Sequence, residues 1–311
     1  MSDAALETSG LTKRYGDVDV VSALDLRIER GELYGFLGPN GAGKTTTIRM
    51  ALGLIRPTRG EVRLLGRPID GRTRAEALVR AGAMIEEPSF YRFLSGRRNL
   101  ETFARAGADV ADVRRRLRRI DDVLETVGLT AAADKRVRAY SQGMRQRLGI
   151  ALALLGEPEV LVLDEPTNGL DPAGMREIRQ LLRSLADTGT TVFVSSHLLG
   201  EVEAVCDRVG VLSRGRLVAE GPPSALRGED RGLRIDVDDP ERAARVASGL
   251  PGVRAEVVPG GISCALSDST APADVNAALV AAGLLVSALV PERASLEDVF
   301  LSLLEGYGAP R

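Results

Sequence analysis

Short aliphatic runs alternate along this chain with longer amphipathic stretches. Leu33-Tyr34-Gly35-Phe36-Leu37 and Val160-Leu161-Val162-Leu163 are nearly continuous apolar segments, and Thr190 to Ser196 has Val192-Phe193-Val194 at its centre. Such runs read as strands buried on both faces, as in a parallel sheet. Leu6–Lys13, Ala23–Ile28 and the glycine-bounded Gly60–Gly66 read as further strands, and Ala83-Met84-Ile85 as extended. Thr46–Leu54 has helix-forming residues and no proline before Pro57; Ala75–Gly82 and Leu148–Leu155 also read as helices. Ser95–Gly128 is helical in pattern, with no strand-like alternation. The class predicted is α/β.

Gly221-Pro222-Pro223 punctuates the chain and marks a boundary. Beyond it the pattern predicts strand Leu233–Val237, helix Pro240–Leu250 and a hairpin of Val253–Val258 with Ile262–Leu266, turning at Pro259-Gly260-Gly261. Helix Ala273–Gly283 and strand Leu284–Val290 follow. That order, βαββαβ, is ferredoxin-like. A last helix, Ser295–Leu304, opens with Ser295 and Asp298 spaced as in a capping box. The domains predicted are residues 1–225, with a helical subdomain at about 88–150, and an accessory α+β domain at 230–311.

Hydrophobic residues make up 44% and charged residues 27% of the 311, a soluble globular profile with material for a sizeable core. A formal net charge of −2 gives no support to nucleic acid as a partner. The two cysteines, Cys206 and Cys264, lack metal-ligand spacing and read as small core residues in a reducing compartment. Met1 to Gly10 is polar, and the longest apolar run, Ala277–Val290, is too short for a bilayer. The expectation is a cytoplasmic chain that meets a membrane only through a partner.

Chemistry concentrates at strand ends. Gly38-Pro39-Asn40-Gly41-Ala42-Gly43-Lys44-Thr45-Thr46 is a complete G-x-x-x-x-G-K-[ST] phosphate loop between a strand and a helix. Its glycines let successive N–H groups converge on an anion, and the helix start adds a positive dipole end. Lys44 would reach the β- and γ-phosphates of a nucleotide, and the Thr45 hydroxyl would sit on Mg²⁺. Lysine is scarce: only Lys13, Lys44 and Lys135 occur among 41 basic residues. Asp164 and Glu165 end a buried strand, where open α/β sheets bind ligands. Asp164 would hold Mg²⁺, and Glu165 would orient or deprotonate the attacking water. His197, the single histidine, ends another buried strand, in position to sense a γ-phosphate. Tyr15 reads either as a ring that stacks on adenine or as an ordinary packed tyrosine. Ser141 and Gly143, in Tyr140-Ser141-Gln142-Gly143-Met144, read as a helix cap or as a second anion site. The loop Glu86-Glu87-Pro88-Ser89-Phe90-Tyr91-Arg92-Phe93-Leu94 reads as a partner surface or as a local hydrophobic staple. The arginine run Arg114–Arg119, offset by Asp109, Asp112, Asp121 and Asp122, reads as a solvated helix face.

Taken in order, the phosphate loop, Ser-Gln-Gly, aliphatic-Asp-Glu strand, Gly-Leu-Asp-Pro turn (Gly169 to Pro172) and Ser-His strand end resemble the nucleotide-binding subunits of ABC transporters, over about Leu6 to Gly221. The resemblance implies a mixed-sheet P-loop ATPase with a helical subdomain, binding ATP and Mg²⁺. Lys44, Glu165 and His197 then match catalytic positions, Tyr15 the adenine-stacking aromatic, and Thr45 and Asp164 metal ligands. Asp171 matches the loop that crosses a head-to-tail homodimer, in which Ser141 and Gly143 of one copy face the nucleotide of the other. Two departures stand out. The signature reads Tyr-Ser-Gln-Gly-Met where Leu-Ser-Gly-Gly-Gln is usual, and Glu86 replaces the glutamine that reaches Mg²⁺ and water. The terminal Ser-Leu-Glu-Asp-Val-Phe-Leu run and the Glu86–Tyr91 segment resemble drug exporter ATPases of the daunorubicin and bacitracin type, whose membrane permease is a separate chain. That implies efflux of a drug, antibiotic or lipid-like substrate from the cytoplasmic face of the plasma membrane, with the permease docking at Glu86–Leu94. An importer subunit, or an ABC ATPase working on nucleic acid or the ribosome, are the alternatives. The latter usually carry two ATPase modules or an inserted coiled coil, which this chain lacks. A GTPase is excluded, because none of Asn40, Asn99, Asn168 and Asn276 is followed by lysine.

Overall fold

A computed structural model describes residues 4–71, 73–86, 89–106, 109–226, 232–267 and 270–292. The chain divides into two compact units, Met1–Pro223 and Ser224–Arg311.

The first unit carries two sheets. One is antiparallel, in the order β2-β1-β4-β5, from β1 (Ala4–Tyr15), β2 (Val18–Glu29), β4 (Arg59–Leu64) and β5 (Arg67–Pro68). The other has six strands, β10-β9-β3-β8-β7-β6. Its members are β3 (Leu33–Leu37), β6 (Ala81–Met84), β7 (Val160–Asp164), β8 (Thr191–Ser196), β9 (Arg208–Ser213) and β10 (Arg216–Gly221). All its neighbours pair in parallel except β9 with β10. The continuous apolar runs have the expected cause: every residue of β3, β7 and β8 is buried. Tyr34, Phe36 and Phe193 form the aromatic centre of this core, at ring separations of 5.5 to 6.0 Å. Because β3, β7 and β8 run the same way, their C-terminal ends Leu37, Asp164 and Ser196 emerge at one edge.

Helix α1 (Lys44–Ala51) leaves the loop after β3, and the short α2 (Arg74–Leu78) precedes β6. The helix expected over Ala75–Gly82 therefore stops early, and Ala81 and Gly82 belong to β6, paired with Val160 and Leu161. Alanine and leucine suit either element; packing decides. A Cβ on Gly82 would stand 2.3 Å from the Ala153 carbonyl, so only glycine lets this strand lie against the helix Gln142–Leu154. Three helices, α3 (Gly96–Ala104), α4 (Val110–Arg118) and α5 (Ile120–Thr126), account for the Ser95–Gly128 stretch. Ser95 and Asp109 cap the first two, accepting from the N–H groups of Arg98 and Asp112. Helix α4 buries no residue, and Arg115 and Arg116 pair with Asp112, so the helix presents a solvated face, while Arg119 at the end of the run packs against Glu157. Then come α6 (Gln142–Leu154), α7 (Pro172–Asp187) and α8 (Leu199–Glu203).

After a turn of helix, α9 (Pro223–Leu226), the second unit holds β11 (Gly232–Val237), α10 (Pro240–Ser248), β12 (Val253–Val258), β13 (Gly261–Leu266), α11 (Pro272–Ala281) and β14 (Val286–Glu292). Its sheet is antiparallel throughout, in the order β12-β13-β11-β14, the ferredoxin-like arrangement. Leu233, Ile235, Ile262 and Cys264 from the strands meet Ala243, Ala247, Val275 and Leu279 from the helices in a core of its own. The helix expected at Ser295–Leu304 lies outside the described residues. Both cysteines are buried and neither is in a disulfide, and burial pushes the Cys206 thiol pKa far up, which leaves it inert. Among the described residues no helix is long and apolar enough to cross a membrane, and no His/Cys/Asp/Glu cluster has a metal-binding arrangement.

Candidate active site

Strand β3 delivers the chain into the phosphate loop, and the loop's glycines are dictated by space. A Cβ on Gly38 would lie 2.5 Å from the Leu212 carbonyl. Gly43 sits at φ 108°, where a Cβ would lie 2.7 Å from the Val20 carbonyl. Gly43 also caps α1 without a side-chain hydrogen bond. The first N–H groups of that helix therefore face the loop, the arrangement that suits a phosphate.

Two linked chains of side chains close the site. In the first, Lys44, buried to 6% exposure, donates from Nζ to the Gly38 carbonyl at 2.7 Å and pairs with Glu165 Oε1 at 3.1 Å. The other oxygen of Glu165 meets His197 Nδ1 at 2.8 Å. In the second, Thr45 Oγ1 donates to Asp164 Oδ2 at 2.8 Å, and Ser195 Oγ donates to Asp164 Oδ1 at 2.5 Å. Ser195 Oγ in turn accepts from the Glu165 N–H at 3.1 Å, tying the chains together. Glu165 holds a left-handed φ of 50°, uncommon for a carboxylic acid, which turns its side chain out of the strand direction of β7.

A cavity of about 340 Å³ lies over this arrangement. Its walls include Pro39, Asn40, Gly41, Gly43, Lys44, Thr45 and Thr46 of the loop, with Glu165 and His197 opposite. Gly38, Ala42 and Asp164 do not line it. Val20 and Asn168 also line the cavity, and sequence reasoning missed both, as it missed Ser195. Val20 is an ordinary strand residue, and Asn168 carries no motif of its own; only adjacency in space identifies them.

Five further expected positions do not line this cavity. Tyr15 is 51% exposed, with Lys13 Nζ 5.0 Å from its ring centroid, so it is not a packed core tyrosine. Ser141 is the N-cap of α6, accepting from the Met144 N–H at 3.2 Å, and Gly143 follows it in that first turn. Asp171 is the N-cap of α7, accepting from the Gly174 N–H at 3.0 Å. Glu86, at φ 64° and largely exposed, pairs with Arg49 of α1 rather than with Thr45 or Asp164. In the loop that follows, Phe90 is buried edge-on to Phe103, whereas Tyr91 and Phe93 are 47% and 69% exposed. Tyr91 also stacks on Phe103 at 6.1 Å, so two rings staple the loop and the exposed side of Tyr91 is presented together with Phe93.

A phosphate loop facing a strand-end Asp-Glu pair defines a P-loop nucleoside triphosphatase of α/β fold. Residues 21–168 match the ABC transporter family. The bacitracin transport ATP-binding protein BcrA of Bacillus licheniformis is 41% identical, covering 97% of both chains. The daunorubicin resistance ATP-binding protein DrrA3 of Streptomyces coeruleorubidus is 40% identical over 97% of this chain and 96% of its own. Among solved structures, cbiO1 of Clostridium perfringens, part of the ABC transporter complex cbiONQ, superposes with a TM-score of 0.65 at 30% identity. That match covers 72% of this chain and 91% of cbiO1. The chain belongs to the ATP-binding subunits of ABC transporters and is an ATPase.

Proposed function

We propose that this chain powers export of an antibiotic-like or lipid-like substrate through a separate membrane permease, working as a homodimer at the cytoplasmic face of the plasma membrane. The observation that carries the catalytic part is the Lys44–Glu165–His197 chain of contacts beside the Thr45–Asp164 pair. The bacitracin and daunorubicin relatives support the export part.

In this reading the loop N–H groups and Lys44 cradle the triphosphate. Glu165 takes or orients the proton of the attacking water, and His197 holds Glu165 and meets the γ-phosphate. Thr45 and Asp164 fit Mg²⁺, because a hydroxyl and a carboxylate oxygen already stand 2.8 Å apart and both are hard donors. Mg²⁺ there would supply charge neutralisation on the phosphates. Glu86 is a candidate third ligand only if it leaves Arg49. Tyr15, with an open ring face, is the candidate adenine platform. Ser141, Gly143 and Asp171 stand at helix starts on the surface, suited to complete the site of a second copy head to tail. ATP bound by both halves favours the closed dimer, and hydrolysis removes that preference. Tyr91 and Phe93 form the docking surface for the permease; nucleic acid has no place in the scheme.

Glu165→Gln tests the reading. It should retain ATP binding, lose about a hundredfold or more in turnover, and shift from monomer to dimer with Mg²⁺-ATP on size-exclusion chromatography with light scattering. Turnover like wild type would remove Glu165 from the chemistry.

A further inference from the structure

The turn after Glu165 and the strand end before His197 meet at a single carboxylate. Glu201, in α8, is only 8% exposed. Its Oε2 accepts from Thr167 Oγ1 at 2.6 Å and from Ser196 Oγ at 3.3 Å. Its Oε1 is buried and has no hydrogen-bond partner among the described residues. Burying a carboxylate with half its acceptors unused opposes folding, and an apolar side chain of similar size would fill the same space at less cost. What the carboxylate adds is a tie between two segments.

Those segments carry the pair that faces the cavity. Thr167 lies two residues after Glu165, in the turn closed by the Asn168 N–H to Glu165 carbonyl bond of 3.1 Å. Ser196 immediately precedes His197, and its hydroxyl also accepts from the Leu198 N–H at 3.0 Å, shaping the chain on the far side of the histidine. Glu165 and His197 touch at 2.8 Å. None of Thr167, Ser196 and Glu201 lines the cavity. The Glu201 node therefore fixes the spacing of the two side chains from behind.

We propose that Glu201 is a positioning residue for ATP hydrolysis, holding the Glu165 turn and the His197 strand end in register; the inference rests on the catalytic reading of that pair. A misplacement of an ångström in a reacting group can cost about a hundredfold in rate. Binding of nucleotide, which falls to the phosphate loop, does not depend on it.

The test compares Glu201→Leu, which keeps the bulk and removes the acceptors, with Glu201→Gln, which keeps an oxygen where Oε2 stands. Thr167→Val removes the stronger donor without touching α8. All are made in the full chain, beside Glu165→Gln, with ATP turnover and binding of a fluorescent ADP analogue as readouts. Glu201→Leu and Thr167→Val should each lower kcat about tenfold or more. Both should leave the analogue's Kd within about threefold, and the double variant should be no slower than the worse single one. Glu201→Gln should stay within about threefold of the wild-type kcat. A kcat for Thr167→Val or Glu201→Leu within twofold of wild type overturns the proposal. So does equal loss in Glu201→Leu and Glu201→Gln with weakened nucleotide binding, which would make the carboxylate a requirement of the fold. If Glu165→Gln itself turns over like wild type, the catalytic reading beneath the proposal fails instead.

Discussion

Ser195 joins the two side-chain chains of the site, and nothing in its own sequence surroundings announces that. It is fully buried and opposite Asp164 in the β7–β8 register, so its hydroxyl serves both the Asp164 carboxylate and the Glu165 N–H. Ser195→Ala leaves both without that partner inside the protein, at a cost of about 1–3 kcal/mol. It should lower the melting temperature by several degrees and, by freeing Asp164 and Glu165, lower kcat about tenfold. Thermal melts and steady-state turnover check this; no change in either would mean that water replaces the hydroxyl. The contrast with Lys44, Thr45, Asp164, Glu165 and His197 shows what is legible. Those residues sit at fixed offsets from glycines and strand ends, and the spacing itself carries chemical meaning. Ser195, Asn168 and Glu201 act through neighbours from other strands and helices, so their roles exist only once the sheet order exists. Glu86 shows the reverse case: the offset pointed to the metal, but its carboxylate is paired with Arg49.

At the scale of elements, strands buried on both faces were readable because their apolar runs are too short for a helix and are bounded by turn residues. The limit of the Ala75–Gly82 helix was not readable, since it depends on how closely α6 approaches Gly82. The aromatic loop admitted two readings from sequence, and its rings divide between them: Phe90 packs inward, Tyr91 stacks on Phe103 with one side open, and Phe93 faces out. What sets that division is Asn99 of α3, fully buried, which accepts from the Tyr91 N–H at 2.8 Å and donates to the Tyr91 carbonyl at 3.1 Å. Both backbone groups of one loop residue are thus satisfied by one amide, as a neighbouring strand would do. Asn99→Leu takes that partner from the Tyr91 N–H, while the carbonyl keeps the Leu94 N–H at 3.0 Å, and should cost about 1–3 kcal/mol. Basal ATP turnover should stay within about twofold, since the Asn99 side chain bonds Tyr91 and Ser95, neither of which lines the nucleotide cavity. Stimulation of turnover by permease in detergent should be lost. Undiminished stimulation would mean that the presented rings do not make the contact.

For the whole molecule, the decisive fact is that the phosphate loop, the Asp-Glu pair, His197 and the helix starts at Ser141 and Asp171 all fall within Met1–Pro223. Among the described residues the second unit has a sheet, two helices packed on it and a separate apolar core, which is what independent folding requires. The boundary is where Gly221-Pro222-Pro223 breaks the chain, and the βαββαβ order was readable because each strand there alternates or ends at a glycine or proline turn. A chain ending after Leu226 should therefore bind ATP with a Kd within about threefold of the full chain, and its Glu165→Gln form should still bind. Isothermal titration on both lengths makes the comparison. Loss of binding with a retained cooperative melt would mean that the second unit contributes directly to the nucleotide site. Loss of the melt itself would mean that the first unit needs the second to fold. Retained binding together with loss of the Mg²⁺-ATP-dependent dimer would instead place the second unit's work in holding two copies together, downstream of nucleotide binding.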